Sequence, residues 1–125
     1  MGNPVTHFEI VGQDANRLQD FYSSVFGWRV IPAGPSYAMV HPDGGSGING
    51  GVGSAPEGGD TSWVTVYIEV DDPHSTLDAV EASGGRRVMG PVEVPGGPTI
   101  ALFMDPESNL IGVAKASTIR GLWRM

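Results

Sequence analysis

The stretch Val5-Thr6-His7-Phe8-Glu9-Ile10-Val11 sets an imidazole and a carboxylate two residues apart inside an apolar run, with Asp14 three positions further on. Strand periodicity aims His7 and Glu9 at the same side of a sheet. Asp14 is suited to cap a helix in which Leu18, Phe21, Tyr22, Val25 and Phe26 recur at helical spacing, so these five predict one buried face, and Gly27 is its stop. Short extended segments follow at Trp28 to Ile31, Tyr37 to His41 and Ile48 to Val52, the last two separated by the turn Pro42-Asp43-Gly44-Gly45. The unit reads β-α-β-β-β.

The pattern then returns. Trp63-Val64-Thr65-Val66-Tyr67-Ile68-Glu69-Val70 is a second strand, Asp72 a second cap, Pro73 a first helical residue, Leu77 and Val80 an apolar face, and Gly84-Gly85 a stop. Strands at Arg87 to Met89, Thr99 to Met104 and Leu110 to Ala114 complete it, with a turn at Asp105-Pro106-Glu107-Ser108. The caps Asp14 and Asp72 lie 58 positions apart and the stops Gly27 and Gly84 57 apart, which predicts a duplicated unit. The expected fold class is α+β: one domain made of two βαβββ repeats, about 4–54 and 62–116, joined by the glycine-rich loop from Gly53 to Thr61. Each helix would cover one face of a curved mixed sheet and leave a concave face for a ligand. A shift of 58 positions matches Thr65 to His7 and Tyr67 to Glu9, so a site on that face would draw on all four.

Bulk properties narrow the function. A chain of 125 residues is sized for one domain. With no cysteine there is no disulfide, thiolate site or cysteine nucleophile. Seven basic against 14 acidic residues give a net charge of −7, which repels a phosphate backbone or an anionic membrane, so neither nucleic acid nor membrane is an expected partner. No run approaches the roughly 20 apolar residues of a membrane span, and Met1-Gly2-Asn3-Pro4 has no signal-peptide character, so a cytoplasmic location is expected. The open strand edges of the two units predict a homodimer.

These residues resemble a known family. His7-Phe8-Glu9-Ile10, Asp14, Phe21-Tyr22 and Val25-Phe26-Gly27-Trp28 are similar to the start of vicinal oxygen chelate proteins, the superfamily of glyoxalase I, bleomycin resistance proteins and extradiol dioxygenases. Tyr67-Ile68-Glu69-Val70-Asp71-Asp72, Gly84-Gly85, Gly90-Pro91 and Asp105-Pro106-Glu107 continue the likeness, which is nearest to small proteins related to lactoylglutathione lyase and leaves out only the tail after about Ser117. The resemblance implies four metal-ligand positions, on the first and last strand of each unit. Here they fall on His7, a competent ligand, on Thr65, a poor one, on Gly112 and on a glycine near Gly50 or Gly51. A catalytic site for zinc, nickel or iron needs at least three His, Asp or Glu ligands, so no cofactor is expected unless Glu9 or Glu69 joins His7 in an unorthodox divalent-metal set.

Of the other candidates, Glu9 is the costliest to bury. It is read as a strand-end ion pair with Arg29 or Arg87, as a ligand contact, or as a general base aided by His7. His41 and His74, at a turn and in a first helical turn, are expected to be exposed. Tyr67, Trp63, Trp28 and Met104 suit either a pocket wall or core. Gly45-Ser46-Gly47-Ile48-Asn49-Gly50 has the letters of a dinucleotide fingerprint, but no helix follows it, so its glycines are read as a strand closely approached by a ligand or another backbone. The tail from Arg120 to Met125 carries Trp123 between two arginines, suited to docking on the domain or on a partner. Two functions remain. One is a metal-independent, bleomycin-resistance-like protein that binds a small organic molecule through His7, Glu9, Thr65, Tyr67, Glu69 and Met104. The other is a glyoxalase-type lyase or isomerase with an atypical metal site or with Glu9 and His7 as acid and base.

Overall fold

The computed structural model of the chain describes residues 2–55 and 62–116, so the tail and most of the joining loop lie outside the described residues. The elements run β1 (Val5–Gly12), α1 (Ala15–Phe26), β2 (Arg29–Pro32), β3 (Tyr37–His41), β4 (Gly50–Ser54), β5 (Trp63–Val70), α2 (Pro73–Ala82), β6 (Arg86–Glu93), β7 (Thr99–Met104) and β8 (Leu110–Lys115). Two compact units divide the chain, one of His7–Thr65 and one built on Val66 onward with the residues before His7.

In the His7–Thr65 unit the strand order is β2-β3-β4-β1. The β2–β3 and β3–β4 pairs are antiparallel, and β4 runs parallel to β1 with Phe8 opposite Gly50 and Glu9 opposite Gly51. In the other unit the order is β5-β8-β7-β6, with β5 parallel to β8 and Tyr67 opposite Gly112. The two βαβββ units with mixed sheets expected from the sequence are therefore present.

Local chemistry sets the helix ends. The Asp14 carboxylate accepts from the Arg17 amide at 3.1 Å, the Asp72 carboxylate accepts from the His74 amide at 2.9 Å, and Pro73 opens α2. The turn at Asp105 closes through its own carboxylate, which accepts from the Glu107 and Asn109 amides at 2.9 Å each. Beneath α2 the core is Val70, Leu77, Ala101 and Val113, with Ile68 and Phe103 packed against it.

Helix α1 departs from expectation. Ala15 is buried, and Leu18, Gln19, Tyr22 and Ser23 are half-buried, but Phe21, Val25 and Phe26 are 53%, 56% and 60% exposed. The strand beneath it explains the rotation. Gly50, Val52 and Ser54 share the helix side of β4 and offer backbone more than side chains, so the helix meets them through polar groups: the Gln19 amide donates to the Val52 carbonyl at 2.9 Å, and the Ala15 amide donates to Ser54 Oγ at 3.0 Å. The displaced aromatics cluster instead, Tyr22 stacking on Trp28 at 5.3 Å and Phe26 lying 5.8 Å from it. Two strands also shift. β4 begins at Gly50, where its ladder with β1 begins, and β6 extends through register shifts to Glu93, well past Met89.

Candidate functional site

The two sides of the His7–Thr65 sheet follow from register. Glu9, Gly51 and Met39 are mutual partners across β1, β4 and β3, so His7, Val11, Tyr37 and His41 share their side by alternation, while Phe8, Ile10, Val40 and Val52 take the helix side. A hydrogen bond confirms it: Tyr37 Oη donates to Glu9 Oε2 at 3.3 Å.

The glycines of β4 exist for these rings. A Cβ on Gly51 would overlap the Tyr37 hydroxyl, and one on Gly53 would come within 2.6 Å of Tyr37 Cδ1. The fourth strand of this unit therefore has no side chain at 51 because the Tyr37 phenol fills that space. The register also assigns the ligand position left open between Gly50 and Gly51: only Gly51 lies on His7's side, and Gly50 lies under the Phe8 ring. What approaches the glycine run is a pair of aromatic side chains from the same unit.

Gly112 repeats this arrangement in the other unit. A Cβ there would meet two carbons of the Tyr67 ring at 2.6 Å, and Tyr67 is 3% exposed. Glu69, also 3% exposed, follows Tyr67 on the same side of β5, and its backbone is tied to the N-terminal residues: the Glu69 amide donates to the Pro4 carbonyl at 2.8 Å, and Asn3 Nδ2 donates to the Glu69 carbonyl at 3.1 Å. Met104 is half-buried and, two residues beyond Leu102 opposite Gly112, shares the side of Tyr67. Thr65 is buried at 3% in the His7–Thr65 unit.

His7 is fully buried, and loss of hydration pushes its pKa down from 6.5 to about 3. It is a neutral imidazole through the physiological range, able to hydrogen-bond but weak as a base. Glu9 does not form the expected ion pair. Arg29 binds Asp43 through two contacts, at 2.9 and 3.2 Å, and Arg87 binds Asp78 and Glu81, so Glu9 accepts from Tyr37 instead. His41 is a second correction. It is 4% exposed rather than on the surface, because β3 continues through it and pairs it with Arg29, whereas His74 is exposed as expected. Tyr37 and His41 share the side of the sheet that carries His7 and Glu9, a placement the sequence reading did not give. The available signal was the spacing of Gly51 and Gly53 opposite a strand that starts with a tyrosine.

Among the described residues no group of three or more His, Cys, Asp or Glu side chains is placed to hold a metal ion. Of the positions at which the resemblance implies ligands, His7 keeps an imidazole, while Gly51 and Gly112 are overlaid by the Tyr37 and Tyr67 rings. The described residues include no helix long and apolar enough to cross a membrane. A cleft of about 600 Å³ lies on the helix side of the His7–Thr65 unit, lined by Ile10, Leu18, Phe21, Tyr22 and Val64 among others. It continues the exposed apolar surface of α1 and lies on the opposite side of the sheet from Glu9.

Comparison with known proteins agrees with this architecture. The family model of the glyoxalase/bleomycin resistance protein/dioxygenase superfamily matches residues 5–113. A lactoylglutathione lyase of Haemophilus influenzae is 34% identical over 126 residues, covering 87% of this chain and 90% of that protein. A glyoxylase-like domain-containing protein of Didymella fabae is 32% identical over 113 residues, covering 84% and 88%. The crystal structure of methylmalonyl-CoA epimerase from Mycobacterium tuberculosis superposes with a TM-score of 0.70 over 89% of this chain and 86% of that one, at 13% identity, a likeness of fold. With both the βαβββ architecture and the sequence in agreement, the chain belongs to the glyoxalase/bleomycin resistance protein/dioxygenase superfamily.

Proposed function

We propose that this chain binds a small organic molecule without a metal, on the side of the sheet that carries His7, Glu9 and Tyr37. The observation that carries the reading is the Tyr37 phenol seated over Gly51 and bonded to Glu9, on the strand where a metal-using relative would place a ligand. A phenol and a carboxylate in contact form a ready hydrogen-bonding pair for a polar group of a ligand, and the neutral His7 adds another such group without adding charge. Thr65 of the same unit joins this proposed set, and Tyr67, Glu69 and Met104 are the candidate contact residues of the other unit, taken by itself.

Metal content and binding test this together. The purified protein, dialysed, should carry no stoichiometric zinc, nickel, iron or manganese, and a bound small molecule should raise its melting temperature by mass action. Bleomycin and lactoylglutathione are the first probes to try, on the strength of the family and the Haemophilus relative. Stoichiometric metal that survives dialysis and disappears in His7→Ala would overturn the metal-independent reading.

The Glu9–Tyr37 contact also favours one catalytic reading, a lyase or isomerase in which the Glu9 carboxylate moves the proton and Tyr37 orients it. His7, with its pKa held at about 3, is a weak base. Turnover of lactoylglutathione that Glu9→Gln abolishes while binding persists would select this reading over simple sequestration.

A further inference from the structure

His41 was expected at the surface, yet it is 4% exposed, and its Nε2 is buried with no hydrogen-bond partner among the described residues. Leaving such a nitrogen unpaired costs on the order of 1–3 kcal/mol, so a buried one marks a place where a polar atom belongs. Register says where that place is. His41 follows Val40 on β3 and His7 precedes Phe8 on β1, and Val40 and Phe8 both pair with Gly50, the first residue of β4. His7 and His41 therefore stand at the same end of β4, on the side of the sheet that also bears Glu9 and Tyr37. With strands roughly 4.8 Å apart, the two imidazoles stand about two strand spacings from each other.

The charge on that side narrows the occupant. Glu9 brings an acidic side chain to that side, and burial keeps His7 neutral. The cations of this unit are Arg17, on α1 against the other side of the sheet, and Arg29, whose guanidinium is held by Asp43 through two contacts. A carboxylate or phosphate there would meet the acidic Glu9 and Asp43 side chains, and Arg29, opposite His41 in the ladder, is already paired with Asp43. A hydroxyl can donate to an imidazole or accept from one, so it suits Nε2 in either tautomer.

The geometry points to His41 as a ligand-anchoring residue, its Nε2 hydrogen-bonded to a hydroxyl of an uncharged small molecule lying between His7 and His41 toward Glu9. This rests on the binding face proposed above and adds to it the anchor and the ligand class.

A matched pair of aromatic probes tests it, resorcinol with two hydroxyls and 1,3-dimethylbenzene with methyls in their place, titrated into the 15N-labelled full chain while backbone amide and imidazole nitrogens are followed by NMR. Resorcinol should shift the His41 nitrogens and 1,3-dimethylbenzene should not. His41→Phe should weaken resorcinol about tenfold, the equivalent of one hydrogen bond, while leaving the dimethyl probe unchanged. The melting temperature of His41→Phe should hold or rise, because an unpaired nitrogen has been replaced by carbon, and His41→Gln, which keeps a polar group, should recover part of the affinity. A fall in stability with no change in resorcinol affinity would make His41 a structural residue and overturn the assignment. Shifts at Glu9 and Tyr37 but not at His41 would defeat the anchor and leave the binding face standing. Shifts at none of the three would defeat both.

Discussion

Lowering the pH from about 7.5 to about 5 should weaken this fold through the buried imidazole of His7. In the folded chain that ring resists protonation down to a pKa of about 3, because burial strips the water that would solvate the cation, while the unfolded chain takes up the proton at the ordinary value of 6.5. Between those values the unfolded state binds the extra proton. Stability is complete above 6.5 and declines as pH falls, with a slope approaching about 1.4 kcal/mol per pH unit, and integrating from about pH 7.5 to about pH 5 gives a loss of roughly 2 kcal/mol. Three carboxylates contribute with their own sign. Asp43, held low by Arg29, Asp72, by the His74 amide, and Asp105, by the Asn109 amide, stabilise the fold above the ordinary carboxylate range and lose that contribution as pH falls through and below it. The interval above pH 5 is therefore the imidazole's. Urea unfolding followed by tryptophan fluorescence at each pH, on the wild type and on His7→Gln, isolates the effect, since His41 and His74 are common to both and cancel. The wild type should lose roughly 2 kcal/mol more than the variant across this interval. Equal losses, or a His7 titration midpoint near 6.5 in the folded protein, would refute the reasoning.

The close approach of Tyr67 to Gly112 predicts that Gly112→Ala costs about 1–3 kcal/mol, since the added methyl meets a ring that is buried at 3% exposure; a urea midpoint equal to wild type would contradict it. Gly51→Ala should displace Tyr37 and break its bond to Glu9, and Tyr37→Ala in the same chain should recover most of the lost stability, an interaction read by a double-mutant cycle. Leu77, with no exposed surface at the centre of the α2 core, should cost about 2–5 kcal/mol when replaced by alanine, measured by the same unfolding curves. The exposed Phe21, Val25 and Phe26 form the kind of apolar surface that a second copy covers, so sedimentation should find a homodimer that Phe26→Asp converts to monomer; a monomeric wild type would rule this out.

Much of this molecule is readable along the chain because its cues are local. Asp14 and Asp72 cap helices through amides two or three residues away, and Pro73 presets the first turn of α2. Alternation along β1 and β5 depends only on the pleat. The duplication, the α+β class and the family likeness all rest on such short-range signals. That Thr65 and Gly112 stand where the resemblance implies metal ligands is equally visible, as is His7 at another of those positions.

Tertiary structure decided what occupies the space at those positions, and long-range register is the reason. That Gly51, rather than Gly50, faces His7 depends on how β4 slides along β1, since a shift of one residue exchanges the two sides. The seating of Tyr37 over Gly51 joins positions far apart in sequence, and nothing in the run Gly50-Gly51-Val52-Gly53 indicates which ring takes up the space. His41 reads as a turn residue beside Pro42, and only its place in the β2–β3 ladder buries it. The exposed face of α1 has the same origin: helical spacing marks residues that can pack together, while the glycine-rich strand beneath determines which side of the helix comes close.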